Sequence, residues 1–417
     1  MTMQFFFPDS QDQIDPNFNF TTEEKSIYRI RQRDDLYAHE ALHTPPFNGF
    51  LVSKAIVDGL PRAAGRYTAA QRNRLYRVGI REFFRLDTQP RSRLTTMGDC
   101  GAFSYVRDDC PPYTVDEVID FYSECGFDLG ISVDHVILGY DPTADYRDDH
   151  PQQSIWKSRQ LLTLELAAQF LARTRARKTR FLPLGVAQGW SPGSYAYSVQ
   201  ALQKMGYQRI ALGGMVPLKT DEVLTCLKQV DQIRLPDTQL HLLGIMRCDH
   251  IDSFASLGVT SFDSTSPFRQ AFKDDTDNYH VLNRNYTALR VPQVEGNPGL
   301  RNRIRAGQVN QDVAVRLERA CLNALRSYEV NEVKIGTALD ALIEYELFCD
   351  EGRKDRREAY REILEDRPWH SCKCGICEKD GIEVAMFRGA ERNKRRGFHN
   401  LHIFKQRLHQ SREGSNA

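Results

Sequence analysis

TVDEVIDFYSECGFDLGISVD, residues 114–134, contains the repeating unit from which the fold of this chain is predicted. A Thr-x-x-Glu capping box precedes an amphipathic pattern, which predicts a helix over Val115–Cys125 that ends at Gly126. The apolar run Phe127–Val133 then predicts a buried strand. This strand delivers the acidic side chain of Asp134 at its carboxyl end.

The same alternation of helix and strand continues on both sides of this unit. Further helices are predicted over Ile155–Arg177, from Pro192 to about Met205, from Thr220, and from His250 to Gly258. Seven more strands are predicted over Leu51–Val57, Leu94–Gly98, Phe181–Ala187, Arg209–Leu212, His241–Ile245, Val259–Phe262 and Tyr286–Val291. Eight strands that alternate with helices favour an α/β fold, a (β/α)8 TIM barrel, over a doubly wound open sheet.

The barrel is expected over residues 46–299, and three other regions flank it. Residues 1–45 are polar and punctuated by proline, so we expect an N-terminal arm. Residues 300–366 are rich in Arg, Glu, Leu and Ala, which predicts a helical insertion. Residues 367–417 are predicted to form a zinc-binding subdomain with a basic C-terminal helix.

A cysteine cluster, Cys372-Lys-Cys374-Gly-Ile-Cys377, holds three of the ten cysteines of the chain. His399 follows 22 residues after the last of them, and three thiolates with one imidazole suit a tetrahedral zinc ion. His402 is the competing fourth ligand. Because four protein ligands leave no open position for water, we expect a structural zinc and look for the chemistry elsewhere.

The overall charge is nearly balanced, with 56 Lys and Arg residues against 55 Asp and Glu residues. Affinity for a polyanion would therefore depend on local patches. Residues 61–93 hold nine arginines, and residues 386–412 hold eight Lys and Arg residues against Glu391 alone. Either segment by itself is equally well explained as a solvated helix face, whereas two such segments favour phosphate binding.

The N-terminal run Phe5-Phe6-Phe7 is interrupted by Pro8 and is too short for a signal peptide or a membrane span. The seven cysteines outside the cluster are scattered, as is typical of proteins from a reducing compartment. We therefore expect a cytoplasmic protein with no membrane segment.

Several motifs, taken in chain order with the cysteine cluster, resemble those of the tRNA-guanine transglycosylases, which are zinc-containing barrel enzymes. The motifs are Asp99-Cys-Gly-Ala-Phe103, Val186-Ala-Gln188-Gly189, Ala211-Leu-Gly213-Gly214, Leu243-Gly244, Phe262-Asp263, and the Cys-x-Cys-x-x-Cys with its His-Asn. The resemblance covers residues 46–290 and 368–405. Each motif is common in barrels when taken alone, but together with the zinc signature they are specific.

The resemblance implies that a guanine base is exchanged for a 7-deazaguanine at C1′ without cleavage of the backbone. It implies that Asp263 is the nucleophile of a covalent glycosyl-enzyme and that Asp99 is the general acid/base. It also implies contacts to the base, with stacking by Phe103. The substrate-binding positions implied are Phe103, Asp134, Gln188, Gly213, Gly214 and Leu243.

The segment after Asp263 departs from the tRNA-specific pattern. Bacterial tRNA enzymes carry Pro-Thr-Arg-x-x-Arg-x-Gly there, whereas this chain has Ser266–Phe272 with Arg269 as the only arginine. Cys100 and Ala102 also replace the usual Ser and Gly. These departures look more like the branch that inserts a 7-deazaguanine into DNA.

The implied partners are therefore DNA and a nitrile-bearing base such as preQ0, with a partner ATPase that makes the DNA accessible. The residues expected to contact nucleic acid are Arg269, Arg392, Lys394, Arg395 and Arg396. The alternatives are a tRNA enzyme, a non-catalytic zinc-bearing paralogue that binds nucleic acid, and a barrel enzyme for small molecules. The presence of both Asp99 and Asp263 disfavours the paralogue, and the basic segments disfavour the small-molecule enzyme.

Overall fold

The computed structural model describes residues 3–9, 11–61, 63–146, 153–350 and 355–413. These residues form two compact units, which we call the barrel unit and the helical unit. The barrel unit comprises the described residues of Met1–Gln11, Phe47–Thr265 and Gln410–Ala417. The helical unit comprises Asp12–Pro46 and the described residues of Ser266–His409.

Eight parallel strands close into a barrel in which each strand pairs with its neighbours in chain order. The strands are β1 (Gln4–Pro8), β2 (Gly49–Ser53), β3 (Thr95–Asp99), β4 (Leu129–Ile131), β5 (Leu182–Ala187), β6 (Arg209–Leu212), β7 (Gln239–Leu242) and β8 (Val259–Asp263). Apolar side chains fill the interior: Phe6, Leu51, Met97, Ile131, Leu184, Val186 and Ala211. The predicted TIM barrel is confirmed, with the packed interior that this fold requires.

The first strand of the barrel was not predicted. β1 pairs with β2 on one side and with β8 on the other, so it closes the barrel. Its three phenylalanines are buried, which is why a central strand appears in the sequence as a bare apolar run with no alternation. The run is so short, and so close to polar sequence, that it was assigned to an N-terminal arm. That assignment is wrong for residues 4–8.

The segment Tyr286–Val291, predicted as a barrel strand, lies instead in the helical unit. Its residues contribute to two small sheets of two-residue strands. These strands are β9 (Tyr279–His280), β10 (Asn285–Tyr286), β11 (Leu289–Arg290) and β12 (Met386–Phe387). The prediction was wrong because short β-branched and aromatic runs do not reveal which sheet they join.

The described residues form sixteen α-helices. They are α1 (Ala38–Ala41), α2 (Lys54–Val57), α3 (Ala69–Phe83), α4 (Val115–Cys125), α5 (Gln153–Arg177), α6 (Pro192–Met205), α7 (Thr220–Asp231), α8 (Ile251–Ser256), α9 (Ser266–Lys273), α10 (Pro298–Arg305), α11 (Gln311–Glu329), α12 (Ile335–Asp350), α13 (Arg357–Asp366), α14 (Pro368–Ser371), α15 (Gly375–Asp380) and α16 (Gly389–Glu413). The Thr114 side chain caps α4 as the sequence predicted.

The helical unit contains the segment 300–366, whose helical character matches the prediction in α10 to α13. It also contains residues 12–46, which the sequence placed in a free arm. Several contacts hold this segment against the C-terminal part of the unit: the Asp15 N–H donates to Glu391 Oε2 at 3.1 Å, and Lys379 Nζ donates to the Pro16 carbonyl at 2.7 Å. The expectation of an N-terminal arm is therefore wrong here as well.

Candidate active site and metal cluster

A pocket of about 220 Å³ opens at the carboxyl ends of the barrel strands; we call it the upper pocket. Its lining comprises Pro8, Leu51, Ser53, Ile56, Asp99, Gly101, Ala102, Phe103, Ser104, Asp134, Val136, Gln188, Gly213, Gly214, Leu243, Gly244 and Asp263. Loops that follow different strands meet at this end of any such barrel, which is why residues far apart in sequence converge. Pockets for drug-sized ligands span roughly 300–1,000 Å³, so this one suits a small heterocycle.

A larger cavity of about 490 Å³ lies at the opposite end of the barrel; we call it the lower cavity. Its lining includes Gln4, Thr95, Arg209 and Gln239, which stand near the amino ends of their strands. The carboxylates gather in the smaller upper pocket instead, and that is the end at which barrel enzymes place their chemistry.

Asp99 ends β3 and receives three hydrogen bonds in the upper pocket. The Ser53 hydroxyl donates to its Oδ2 at 2.6 Å, and the backbone N–H groups of Cys100 and Gly101 also donate to it. Burial raises the pKa of Asp99 to about 6, and the nearby charge of Asp263 adds to the rise while these hydrogen bonds oppose it. A carboxyl group in this range can both give and take a proton near neutral pH.

Asp134 and Gln188 form one hydrogen-bonded wall of the pocket. Gln188 Nε2 donates to Asp134 Oδ2 at 2.6 Å, and the Cys100 thiol donates to Asp134 Oδ1 at 3.3 Å. Gln188 Oε1 accepts from the Ile137 N–H at 3.2 Å, which fixes the orientation of the amide. Burial and the charge of Asp99 raise the pKa of Asp134 to about 7, against the effect of these two donors.

Gly213 and Gly214 follow β6 and approach this wall closely. A Cβ atom on Gly214 would lie 2.2 Å from the Ile137 carbonyl oxygen, and its φ of +77° lies in the left-handed region that favours glycine. The Gly213 N–H donates to the Ala187 carbonyl at 3.0 Å. Glycine is therefore required here by the close approach of the backbone.

Phe103 and Leu243 complete the apolar part of the lining. The Phe103 side chain is 52% exposed at the pocket, so it is not a core residue. Leu243 is partly buried and packs against the barrel core. The structure thus brings all the sequence-predicted substrate-binding residues to one pocket.

Asp263 ends β8 and is buried, with a relative exposure of 6%. The Gly244 N–H donates to its Oδ1 at 2.9 Å, and His241 Nε2 lies 3.2 Å from the same oxygen. Within the described part of the chain, no group donates to Oδ2. One carboxylate oxygen is therefore fixed by the protein, and the other is left for a ligand.

Comparison with known proteins agrees with this geometry. The chain is 47% identical over 409 residues to a protein of Salmonella montevideo named DNA-guanine transglycosylase. The match covers 97% of this chain and 96% of the relative. The chain belongs to the guanine transglycosylase family. It is therefore an enzyme of the pentosyltransferase class. No protein-family model matches it.

The helical unit of this transglycosylase contains the predicted metal cluster. The ligand atoms of Cys372, Cys374, Cys377 and His399 lie within 4.8 Å of one another. His399 Nδ1 is 3.3–3.6 Å from the three sulfurs. Nε2 of the same ring donates to the His280 carbonyl at 2.7 Å, which leaves Nδ1 free to act as the ligand. The set fits a tetrahedral metal ion, and His399, not His402, completes it.

Three arginines predicted to contact nucleic acid are instead interior residues of the helical unit. Arg392, Arg395 and Arg396 are each at most 1% exposed. Arg392 Nε donates to Glu383 at 2.6 Å and Nη1 donates to Glu23 at 2.5 Å. The prediction is therefore wrong for these three, because α16 presents them to acidic side chains and carbonyl groups of its own unit.

The partners of the other two arginines confirm this correction. Arg395 pairs with Asp380 at 2.8 Å and with Glu391 at 2.6 Å. Arg396 donates to the carbonyl oxygens of Val384, Met386 and Ala271. A basic run in the sequence cannot be distinguished from a buried ionic network unless the partners are known.

Lys394 and Arg269 remain half-buried. Lys394 Nζ donates to the Gln13 carbonyl at 3.1 Å, so this ammonium group already has one backbone partner.

The arginines of residues 61–93 have different environments along the barrel unit. Arg81 donates to the Ser92 and Leu94 carbonyls near the start of β3, which is a structural role. Arg66 is exposed, and its backbone N–H donates to the carbonyl of Ile56. Ile56 lines the upper pocket. Arg66 therefore stands at the pocket end of the barrel, whereas Arg81 stands at the other end.

Sequence reasoning gave no structural role to four residues that hold the predicted carboxylates. Ser53 holds Asp99, Cys100 holds Asp134, and His241 and Gly244 hold Asp263. Cys100 was noted only as a departure from the family motif. The available signal was position, because a polar side chain inside a barrel strand or at its end faces the same interior as the catalytic groups.

None of the described helices combines the length and the apolar composition that crossing a membrane requires.

Proposed function

We propose that this enzyme replaces guanine in DNA by a 7-deazaguanine, preQ0, through a covalent glycosyl intermediate on Asp263. The observation that carries the proposal is the placement of Asp263 and Asp99 in one pocket of about 220 Å³, beside a wall of hydrogen-bonding groups. The name of the Salmonella montevideo relative supports DNA as the polymer.

The two carboxyl groups divide the chemistry between them. Asp263 Oδ2 attacks C1′ of the deoxyribose while the C1′–N9 bond breaks. The electron pair of the broken bond leaves with guanine. The protonated form of Asp99 supplies the proton that neutralises the leaving base. In the second half, Asp99 takes the N9 proton of preQ0, N9 attacks C1′, and the bond to Asp263 breaks. The cycle balances because Asp99 regains in the second half the proton that it gave in the first, and Asp263 loses the glycosyl group that it gained.

The pocket wall supplies recognition of the base. Asp134 and Gln188 bind the Watson–Crick edge of the base. The hydrogen bond of 2.6 Å between them holds the two side chains in a fixed relative orientation. Because Gly213 uses its N–H for the Ala187 carbonyl, the donor to the exocyclic oxygen is the N–H of Gly214. Phe103 is exposed at the mouth of the pocket and stacks on the flipped base.

The altered segment after Asp263 supports DNA rather than a tRNA anticodon loop. Phe268 on α9 is 1% exposed and packs against Phe272 and Phe398. A buried phenylalanine cannot read base edges, so Arg269 is the one arginine of this segment that remains for such contacts. Sequence-tolerant contacts to phosphates then carry more of the affinity, and Arg66 at the pocket end of the barrel unit is a candidate for one of them.

The cysteine cluster is proposed to hold a structural Zn²⁺. Three thiolates and one imidazole are soft ligands that select zinc, and four protein ligands leave no open position for catalysis. Around the cluster, Asn400 donates to the Asn278 carbonyl and accepts from the His280 N–H, which fixes the strand that orients His399. The metal would thus stabilise the helical unit.

The proposed function is tested by release of radiolabelled guanine. Guanine-labelled single-stranded DNA, duplex DNA and tRNA are each incubated with the enzyme and unlabelled preQ0, and mass spectrometry of the hydrolysed polymers then identifies the inserted base. We expect exchange in DNA, faster in single strands because a duplex guanine must first be unstacked at a cost of a few kcal/mol. A partner ATPase that opens the duplex would remove this difference.

Asp263→Asn is the matched control, because it keeps the oxygen that accepts from Gly244 and removes the nucleophile. Exchange in tRNA alone would overturn the assignment of DNA. Absence of exchange in every polymer, with binding retained, would instead favour a non-catalytic nucleic-acid-binding protein.

A further inference from the structure

One buried histidine lies between the lower cavity and the upper pocket, beside the apolar side chains of the barrel interior. His241 on β7 is 1% exposed and lines the lower cavity, while its Nε2 lies 3.2 Å from Oδ1 of Asp263, which lines the upper pocket. Its Nδ1 lies 2.8 Å from the Ser261 hydroxyl oxygen. A single imidazole therefore joins two side chains of β8 within the barrel interior.

The register of the sheet creates this juxtaposition. Leu240 pairs with Val259, but His241 pairs with Ser261, so β8 has one extra residue at this point. Such a bulge re-aims the side chains that follow it. Ser261 and Asp263, two residues apart on one strand, then face the interior together, opposite His241.

The ring orientation is fixed by packing as well as by hydrogen bonds. The Phe6 ring lies edge-on to the imidazole with a centroid distance of 5.8 Å and an interplanar angle of 77°. Phe6 also pairs in the sheet with Asp263. The strand that closes the barrel thus holds both the histidine and the carboxylate.

The proton positions follow from the chemistry of the partners. A carboxylate that acts as a nucleophile only accepts hydrogen bonds. His241 Nε2 therefore carries a hydrogen and donates a hydrogen bond to Asp263 Oδ1. In the tautomer that carries its hydrogen on Nε2, Nδ1 accepts from the Ser261 hydroxyl. Ser261 therefore selects the tautomer that His241 needs in order to hold the carboxylate.

We propose that His241 is a positioning residue that fixes Oδ1 of Asp263 and thereby presents Oδ2 to C1′, with Ser261 fixing its tautomer. The proposal rests on the proposed function, in which Asp263 is the nucleophile. Gly244 donates to the same Oδ1 at 2.9 Å, so two donors from different parts of the β7 region converge on one oxygen. Two donors define the plane of a carboxylate, whereas one leaves it free to rotate.

The test compares His241→Phe, His241→Gln and Ser261→Ala with the wild-type enzyme. The phenyl ring keeps the bulk beside Phe6 but removes both nitrogens, and the lower cavity gives it room. We expect the rate of covalent adduct formation, measured in a single turnover with guanine-containing DNA, to fall about 10²-fold. KM for the DNA stays within about twofold because His241 does not touch the base.

The conservative variants separate positioning from a merely structural role. Glutamine retains a side-chain N–H donor, so His241→Gln recovers at least tenfold of the lost rate. Ser261→Ala loses only a few-fold, since the tautomer is loosened while the ring remains. Gln239→Ala, which alters the same cavity and strand without contact to Asp263, keeps the wild-type rate. An unchanged rate in His241→Phe, or equal losses of rate in all four variants, would overturn the proposal.

A crystal structure of His241→Phe gives a readout that needs no nucleic acid. We expect the Asp263 carboxylate to occupy more than one rotamer there and a single rotamer in the wild type. One unchanged rotamer in the variant contradicts the proposal whatever the polymer. If the wild-type enzyme forms no adduct with DNA or tRNA, the proposed function fails, but the rotamer comparison still decides the role of His241.

Discussion

The upper pocket and the cysteine cluster both gather ionisable groups in a protein interior, but only the cluster offers these groups complementary partners. In the pocket, burial raises the pKa of Asp99 to about 6 and of Asp134 to about 7, so these carboxyl groups oppose the stability of the fold above those values. In the helical unit, the clustered groups have complementary partners: three thiols with an imidazole fit for a metal, and arginines beside acidic side chains.

The contrast separates groups that serve chemistry from groups that serve structure. Groups that are held together against their electrostatic preference mark a functional site. Groups whose charges are satisfied on every side mark a structural element.

Cys374→Ala is expected to have the largest effect, and the effect falls on stability. Loss of one of four ligands opens the site, so bound metal measured by elemental analysis falls to near zero. We expect a loss of several kcal/mol and a fall of about 10 °C in melting temperature. His402→Ala serves as the control, because His402 lies outside the ligand set. Full metal occupancy in Cys374→Ala would contradict the assignment of the ligands.

Asp99→Asn is expected to affect the chemistry and leave the fold intact. Without a group that transfers protons, base exchange falls by about 10²- to 10⁴-fold while DNA binding stays unchanged. In the wild type, guanine release slows as the pH rises above about 6, because the protonated fraction of Asp99 falls.

The pH dependence of guanine release in Asp99→Asn gives the sharper result. We expect the variant to lack the fall in rate above about pH 6, because the carboxyl group that causes this fall is absent. Asp221→Asn, an exposed carboxylate of α7, is the matched control. A variant that retains the wild-type pH profile would exclude Asp99 as the acid.

Arg392→Met tests the structural side of the contrast. The substitution removes the guanidinium group that Glu23 and Glu383 share, while Arg388 still pairs with Glu23 and Arg326 with Glu383. The loss is that of two hydrogen bonds between charged groups, about 3–5 kcal/mol of unfolding free energy. At Glu23, burial opposes ionisation, but hydrogen bonds from Arg388 and Gln293 outweigh it and lower the pKa to about 2.

The exposed Arg77 of α3 is the matched control, and Arg77→Met changes stability by at most about 0.5 kcal/mol. Equal effects of the two substitutions, measured by urea denaturation, would show that the second basic segment is not an internal network.

Asp134→Asn is expected to have the smallest effect. Unlike the substitutions in the helical unit, it raises the free energy of unfolding. The folded-state pKa lies above the unfolded value of 3.8, so the folded protein binds this proton more tightly, and stability is lost as the pH rises through about 7. The amide avoids that loss, so the variant is more stable than the wild type at pH 8, by roughly 2–4 kcal/mol, and nearly equal at pH 4. A variant less stable than the wild type at pH 8 would show that Asp134 is structural.

The barrel and most of its pocket were predictable because their signals are local. Asp99 and Asp263 end their strands, Gln188 and Gly213 follow theirs directly, and the three cysteines of the metal cluster lie within six positions. β1 was not predictable from its five residues, because only pairing with β2 and β8 gives that run a place.

Long-range partners explain the other failures. Arginine is usually a surface residue, but Arg392 is interior, and two of its partners, Glu23 and Phe20, lie more than 360 positions away in the sequence. His241 lies within an apolar strand, and its relation to Asp263 depends on a one-residue bulge in β8. A local sequence pattern predicts neither which distant residues will be in contact nor the register of two paired strands.

Trapping the covalent intermediate shows whether Asp263 is the nucleophile of base exchange. The enzyme is mixed with a guanine-containing DNA oligonucleotide, denatured without added preQ0, and digested for peptide mass spectrometry. We expect a deoxyribose-linked peptide with the modification on Asp263, absent from Asp263→Asn and discharged when preQ0 is added before denaturation. An adduct on any other residue, or base exchange that proceeds in Asp263→Asn at the wild-type rate, would contradict the account.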